Sequence, residues 1–550
     1  MEYRFKLISS LEKVFFKEPV HAKQHTHGSM LKNEIYSFQL AGWAYGDEAR
    51  RIACRLEVES ELAPYMQVFQ IGYVPDLMPS MPMHEDEDYL SKEPGLFPDP
   101  LYAVKSGEIF LQGGQARAFW ITVEPKGQII GTYPIVLKIY DAKDVLLEEL
   151  CFTLDIINME LPKQELYNTC WFHGDCIAKL HNVEVMSEDY WELVEKYLEV
   201  YTKFGHNMIL TPIITPPLDT AVGKERPTNQ LVDITLTNGV YTFGFEKLKR
   251  WIDLCKKYGI VYFEIAHLFT QWGAGYAPKI MATVDGVYKK IFGWETEALS
   301  EEYTGFLHSF LPELIGFLKV ENVFEKCFFH TSDEPKPIDE VPYRAAKEIL
   351  QQYIDESQLL DALSAYSFYE KGIVKKPVVC NDHIHHFMEH GVEGLWTYYC
   401  CMQGDKVANR FLAMPSYRNR ILGYQLYKNN IEGFLQWGFN FWFSQHSRGV
   451  LNPYLDSTTD GAYPGGDAFV VYPVDEADNV VCSLRLYVFN EGLQDMRALK
   501  LLESLTGRDA VMALLEDVQA FDTYPRSSEY IIDLREKVNQ MIKGAKCENI

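Results

Sequence analysis

The feature that most constrains this chain is a change of rhythm near residue 160. Beyond it, short apolar runs recur, each followed by a loop and a stretch of helical period. The runs fall near Asn168–Phe172, Met208–Thr211, Val261–Ile265, Cys327–His330, Leu360–Tyr366, Pro377–Cys380, Leu395–Tyr399 and Phe434–Trp437. Continuous apolar runs of this length read as parallel strands covered on both faces. Between them, Trp191, Val194, Leu198 and Tyr201 share one face of a helix that Ser187 caps and Gly205 ends. Leu248, Trp251, Ile252 and Cys255 repeat that spacing before Gly259, and a longer helical segment covers Phe306 to Leu318. Eight such units predict a (β/α)8 barrel over residues 161–550. Residues 1–160 have a strand rhythm instead. Ala118–Val123, Tyr133–Tyr140 and Leu150–Ile157 alternate with turns at Pro125-Lys126-Gly127 and Asp141–Asp144. That pattern predicts an antiparallel β-sandwich with a structural or docking role.

The chain has 550 residues, enough for two or three domains. A net charge of −25 opposes binding to nucleic acid, and no basic run or zinc spacing offsets it. The N-terminus has no apolar leader and no apolar stretch reaches bilayer length, so a cytoplasmic location without a membrane span is expected. The 11 cysteines are scattered, as reduced core thiols would be. Cys400 and Cys401 are adjacent and cannot close an ordinary disulfide loop, so both read as core residues. No phosphate loop follows a strand, no Gly-X-Ser-X-Gly elbow occurs, and no cofactor is expected. His386 and His390 have helical i,i+4 spacing, but no partner glutamate or cysteine pair completes a zinc set, and no metal is expected.

In a barrel the carboxyl ends of the strands carry the chemistry. The fourth strand runs into His330-Thr331-Ser332-Asp333-Glu334-Pro335. Two adjacent acids there suit general acid catalysis beside charge stabilisation. Pro335 biases Glu334 toward an extended backbone. Acidic pairs before proline also occur in plain solvated loops, so the remaining strand ends must decide. His173 follows the first strand, His267, Trp272 and Tyr276 the third, and Asn381 the sixth; Trp396 and Tyr398 lie on the seventh, and Trp437 and Trp442 at and after the eighth. Asp467 sits in Gly465-Gly466-Asp467 before a strand at Ala468–Pro473. Aromatic faces suit the C–H surface of a sugar, and carboxylates and amides suit its hydroxyls, although each ring could equally pack a core. The candidate site is therefore Asp333 and Glu334 as catalytic pair, with His173, Asn381, Trp396, Tyr398, Trp437 and Asp467 as sugar-binding groups. Arg485 and Arg497 read as structural ion pairs.

Five segments, in order and spacing, carry a resemblance: Ser332–Pro335, Gly433–Trp442, Gly466–Pro473, Ser483–Leu486 and Asn490–Asp495. On these the chain resembles glycoside hydrolase family 123, the β-N-acetylgalactosaminidases, over most of its length. A typical member has Arg where Asn490 stands and Gly where Ala468 stands, departures that leave the acid pair intact. The resemblance implies a retaining exo-glycosidase acting on an oligosaccharide or glycoconjugate with terminal β-linked N-acetylgalactosamine. It implies substrate-assisted catalysis, with the 2-acetamido oxygen as nucleophile. A charged Asp333 would orient the acetamido N–H and stabilise the oxazolinium, and a neutral Glu334 would protonate the leaving oxygen. The residues alone leave open a β-N-acetylglucosaminidase, which differs at the C4 hydroxyl, and a silent carbohydrate-binding scaffold.

Overall fold

The computed structural model describes residues 2–17, 20–45, 51–127 and 129–548. Eight strands share one parallel sheet: Tyr167–Cys170, Met208–Thr211, Tyr262–Ile265, Cys327–Phe329, Asp361–Ala362, Pro377–Cys380, Trp396–Tyr398 and Gly433–Gln436. Taken in chain order, they lie side by side as fourth, third, second, first, eighth, seventh, sixth and fifth. The two end strands also meet. Phe329 bridges Leu359 in parallel, and the Leu360 N–H donates to the Phe329 carbonyl at 3.0 Å.

Local chemistry explains the helices between them. The Ser187 hydroxyl accepts from the Tyr190 N–H and opens Glu188–Lys203; Ser300 does the same for Tyr303 and opens Glu301–Val320. The apolar stripes of both helices are buried. The fifth strand is shorter than expected. Only Asp361–Ala362 pairs, and Tyr366–Glu370 is a helical turn. Leu363 and Phe368 turn away to pack with Tyr343, Ile373 and Val374 in a separate small core. The strand expected at Ala468–Pro473 begins only at Val471 and forms a hairpin with Val480–Cys482. A four-stranded sheet from Asp233–Thr237, Val240–Gly244, Ile280–Val284 and Val287–Phe292 was not expected, and it flanks the third strand in sequence.

The N-terminal region is two five-stranded sheets. One pairs Glu2–Ser9, Tyr36–Tyr45, Ala116–Val123, Met66–Asp76 and Gly95–Ala103, all antiparallel. The other corrects a purely antiparallel expectation: His27–Leu31 runs parallel to Thr153–Ile157. Alternation along Ala116–Val123 explains the stacking. Phe119, Ile121 and Val123 face the second sheet, with Leu137, Phe152 and Leu154 opposite. Ala118 and Trp120 face the other way, into the large core that contains the parallel sheet. Trp120 meets Tyr487 of helix Leu484–Thr506 at a ring distance of 5.8 Å. Burying each such side chain contributes roughly 1.5–3 kcal/mol, so both faces of strand Ala116–Val123 are packed.

Buried ion pairs tie this seam. Arg485 grips Asp99 through two bonds of 2.8 and 2.9 Å, and it also donates to the carbonyls of Gly466 and Phe469. Arg420 pairs with Glu491 and Asp495, and Arg535 with Asp495 and Glu34. Arg497, expected in an ion pair, instead donates to the Pro162 carbonyl at 2.8 Å. Among the described residues no helix is long and apolar enough to cross a membrane.

Candidate active site

A cavity of about 120 Å³ opens where the parallel strands end. Seven of the eight strands, or the loops after them, supply its wall, including Trp171, Asp219, Gln271, Glu334, Ala362, Tyr398 and Trp437. Asp333 and Glu334 line it, four and five residues after the fourth strand ends at Phe329.

Glu334 does not have the extended backbone expected before Pro335. Its φ is +44°, a left-handed conformation that costs a non-glycine residue energy. Two bonds hold it there. Its N–H donates to the Ala362 carbonyl at 3.0 Å, and the Tyr398 hydroxyl donates to Oε1 at 2.6 Å. Burial keeps the Tyr398 phenol protonated, so it acts as a donor. The Asp333 carbonyl accepts from the Trp272 N–H at 2.8 Å, which fixes the neighbouring loop to the acid pair.

Burial, and then the nearby Glu334 charge, push the Asp333 carboxyl well above its ordinary value. The ligand-free site therefore favours a proton on Asp333, which the expected division leaves charged.

Beneath the pair lies a buried polar layer that sequence reasoning passed over. Glu264, on the third strand, accepts from Thr169 Oγ1 at 2.6 Å, Trp171 Nε1 at 2.7 Å and His330 Nε2 at 2.7 Å. His330 Nδ1 lies 3.5 Å from Asp361, which also accepts from the Thr331 N–H at 2.8 Å and from the Tyr343 hydroxyl. Burial opposes a charge on His330, yet Asp361 and Glu264 outweigh it and push the imidazole up to about 9. A cation thus sits under Asp333. His267 stacks on it with ring centres 4.2 Å apart and is held neutral by burial and by that charge. The signal was present in the sequence: Glu264 and Asp361 are carboxylates inside apolar strand runs.

The expected sugar-binding residues divide. His173, Tyr398 and Trp437 line the cavity. Burial and Arg226 push His173 down to about 3, so its imidazole is neutral. Its Nε2–H donates to the Trp437 carbonyl at 2.9 Å, and its Nδ1 accepts from Arg226 at 3.2 Å. Arg226 is itself clamped by two bonds to Asp175. Asp467 lies one layer back, accepting from Trp437 Nε1 at 3.0 Å; burial without a paired cation pushes it up to about 7. Asn381 is buried and donates to the Ala408 carbonyl, away from the lining. Trp396 is corrected most clearly. It is the first residue of its strand and packs at the far end of the sheet against Tyr167 and Phe328, while Tyr398, two residues on, reaches the cavity. The chain opposite Trp396 must be Gly433, where a Cβ would lie 2.0 Å from the indole. Trp442 is likewise a core residue. Cys400 and Cys401, expected in the core, are half-buried and line the cavity.

His386 and His390 pack against Tyr366, and His390 Nδ1 lies 2.7 Å from the His386 carbonyl. Cys380, Asp382 and His383 bring ligand atoms within 4.8 Å. Burial raises that thiol, and Ser364 and His383 already occupy its sulfur, so it is poorly set to coordinate a metal.

The family model described as "Glycoside hydrolase 123, catalytic domain" matches residues 171–502. A solved family 123 glycoside hydrolase from Clostridium perfringens, described in terms of glycolipid glycan hydrolysis, superposes with a TM-score of 0.74 at 15% identity. That match covers 99% of this chain and 98% of the other. A β-glucuronidase from Parabacteroides merdae covers 90% of this chain and 52% of its own at 13% identity, but its TM-score of 0.32 carries no argument. No curated protein matches the chain.

Proposed function

The chain belongs to glycoside hydrolase family 123, and we propose that it is a retaining, exo-acting hydrolase of terminal β-linked N-acetylgalactosamine that works by substrate assistance. The carrying observation is the Asp333–Glu334 pair at the strand ends, in a cavity walled by Trp171, Trp437 and Tyr398. We read the parallel sheet as a (β/α)8 barrel over residues 161–550 and residues 1–160 as its sandwich partner. The glycolipid chemistry of the Clostridium perfringens enzyme supports a glycoconjugate substrate.

In this reading the acetamido oxygen of the bound sugar attacks C1. Glu334 protonates the departing glycosidic oxygen, and an oxazolinium forms. Water, deprotonated by Glu334, then opens the ring with net retention. Asp333 accepts the acetamido N–H. That hydrogen bond, with the His330 cation below, stabilises the Asp333 carboxylate and transfers its proton to Glu334. Substrate binding thus converts the ligand-free proton arrangement into the catalytic one. The Tyr398 bond to Oε1 leaves Oε2 of Glu334 free to face the leaving oxygen. Trp171 and Trp437 offer ring faces to the sugar, and His173 and Asp467 hold Trp437 from its carbonyl and indole sides.

Chromogenic β-glycosides of N-acetylgalactosamine, N-acetylglucosamine and galactose test this directly. Turnover of the first alone is expected. Comparable rates on the galactoside would rule out substrate assistance, preference for the glucosaminide would reverse the sugar assignment, and silence on all three would leave a binding scaffold. A thiazoline mimic of the intermediate should inhibit tightly.

A further inference from the structure

Cys400 and Cys401 have no part in the reaction above, yet both line its cavity. They follow Tyr398 at the end of the seventh strand, in a turn closed by the Gln403 N–H to the Cys400 carbonyl at 3.2 Å. The turn is braced on several sides. The Cys400 N–H and Sγ both donate to Gln403 Oε1, at 3.0 and 3.2 Å. Asn409 Nδ2 holds the carbonyls of Cys400 and Gln403 at 2.9 and 2.8 Å, and the Asp382 carboxylate accepts from Gln403 Nε2. The two residues are adjacent in the chain and both reach the same cavity, so their thiols share one wall. Two thiols thus share the wall of a cavity on a braced turn, and little backbone ordering remains for a ligand that bridges them.

We propose that Cys400 and Cys401 form a dithiol site for soft thiophilic ligands, typified by trivalent arsenicals, and that a ligand bound there blocks the sugar cavity. Among the described residues no third histidine, cysteine or carboxylate joins the pair at a shared ligand position, so a tetrahedral zinc set is incomplete. Two sulfurs instead suit an element whose remaining valence carries an organic group. Contact with the Cys401 thiol, and burial, hold the Cys400 thiol well above its ordinary value, and Cys401 is also raised. Both are therefore thiols rather than thiolates at neutral pH and react slowly with alkylating agents. An organic arsenoxide needs no thiolate. Its As=O group takes up the two S–H protons and leaves as water, two As–S bonds form, and arsenic stays trivalent. The product is a cyclic dithioarsenite whose organic group occupies the cavity that Tyr398 and Trp437 also line.

The probe is phenylarsine oxide on the full chain. Intact-mass measurement should show one phenylarsine per chain with loss of one water, and hydrolysis should fall in proportion. Excess 2,3-dimercaptopropanol should restore both, whereas 2-mercaptoethanol at the same thiol concentration should not. Cys400→Ser and Cys401→Ser each leave a single arm, so the half-inhibitory concentration for each, relative to that variant's own uninhibited rate, should rise by on the order of 10²-fold or more. The adduct is read by mass and needs no turnover, so it stands apart from the hydrolase reading. Absence of the adduct, its persistence in both serine variants, or its formation without loss of hydrolysis in an active enzyme would each overturn the proposal.

Discussion

The molecule buries carboxylates in two settings and treats them oppositely. Away from the cavity most meet a cation: Asp99 has Arg485, Asp495 has Arg420 and Arg535, Glu34 has Arg535, Asp86 has Arg418 and Arg526, and Asp155 has Lys543, whereas Asp76 has no ion-pair partner among the described residues and burial pushes it up to about 7. At the cavity, among the described residues, no lysine or arginine forms an ion pair with Asp219, Asp333, Glu334 or Asp467. The electrostatic consequence is clearest in two acids. Burial raises Asp86, but Arg526 and Arg418 outweigh it and hold it at about 2. Burial raises Asp467 to about 7, outweighing the bond from Trp437 and the charges of Arg410 and Arg485, neither of which forms an ion pair with it. Glu491 is the exception on the paired side, lifted to about 7 by burial while Asp495 shares its Arg420. Paired burial holds the two regions together. Unpaired burial keeps a proton available near neutral pH, which acid catalysis requires.

Breaking the unpaired set should cost activity rather than stability. Glu334→Gln should lower kcat/KM by ~10²–10⁴-fold on glycosides with poor leaving groups, and less on phenolic ones that need no protonation. Asp333→Asn should lower the rate whatever the leaving group, because every substrate passes through the oxazolinium. The measurement is kcat/KM across a series of leaving-group pKa values. Exchange of the two patterns would reverse the assigned roles, and unchanged rates in both variants would remove the pair from the reaction.

Breaking the paired set should cost stability. Arg485→Met leaves Asp99 buried beside Tyr472 without its ion-pair partner, and it frees the carbonyls of Gly466 and Phe469. A loss of about 3–5 kcal/mol in the unfolding free energy is expected from urea titration. Glu334→Gln measured alongside should stay within about 1 kcal/mol of the parent. Equal losses in the two variants would erase the distinction between the settings.

Much of this was legible in the sequence, and the reason differs by element. Parallel strands covered on both faces write themselves as apolar runs, so all eight were visible, and Ser187 announced its helix through its cap. The acid pair was visible because it interrupts such a run. Trp396 and Tyr398 show the limit. Both face inward on one strand, and only the register of that strand within the sheet decides which ring reaches the cavity. The Glu264–His330–Asp361 layer was hidden for a related reason. Its members lie far apart in sequence, and each looks like a lone polar residue until the strands align them. The parallel pairing of His27–Leu31 depends on a partner more than a hundred residues away, which no local pattern encodes.

The smallest effects make the sharpest comparison, because their signs differ. Asp86 has a folded-state value of about 2, below the ordinary carboxylate value of about 3.9, so its pairing stabilises the fold above that value and is lost as pH falls toward 2. Asp86→Asn should therefore lose on the order of 2 kcal/mol, with the same loss at about pH 5 as at about pH 7. Asp333 is shifted the other way. The native state binds its proton more tightly than the unfolded chain does, so the parent loses stability as pH rises above about 4. Asp333→Asn does not titrate. It should unfold later than the parent at about pH 7, and the gain should shrink steadily toward about pH 5. Thermal melts of the parent and both variants across that interval give the two slopes. A flat difference for Asp86→Asn beside a rising one for Asp333→Asn is expected. If Asp333→Asn instead destabilises the protein at neutral pH, its carboxylate is satisfied in the folded state, and the cavity acids are not held in the strained, proton-hungry condition on which the proposed division of labour rests.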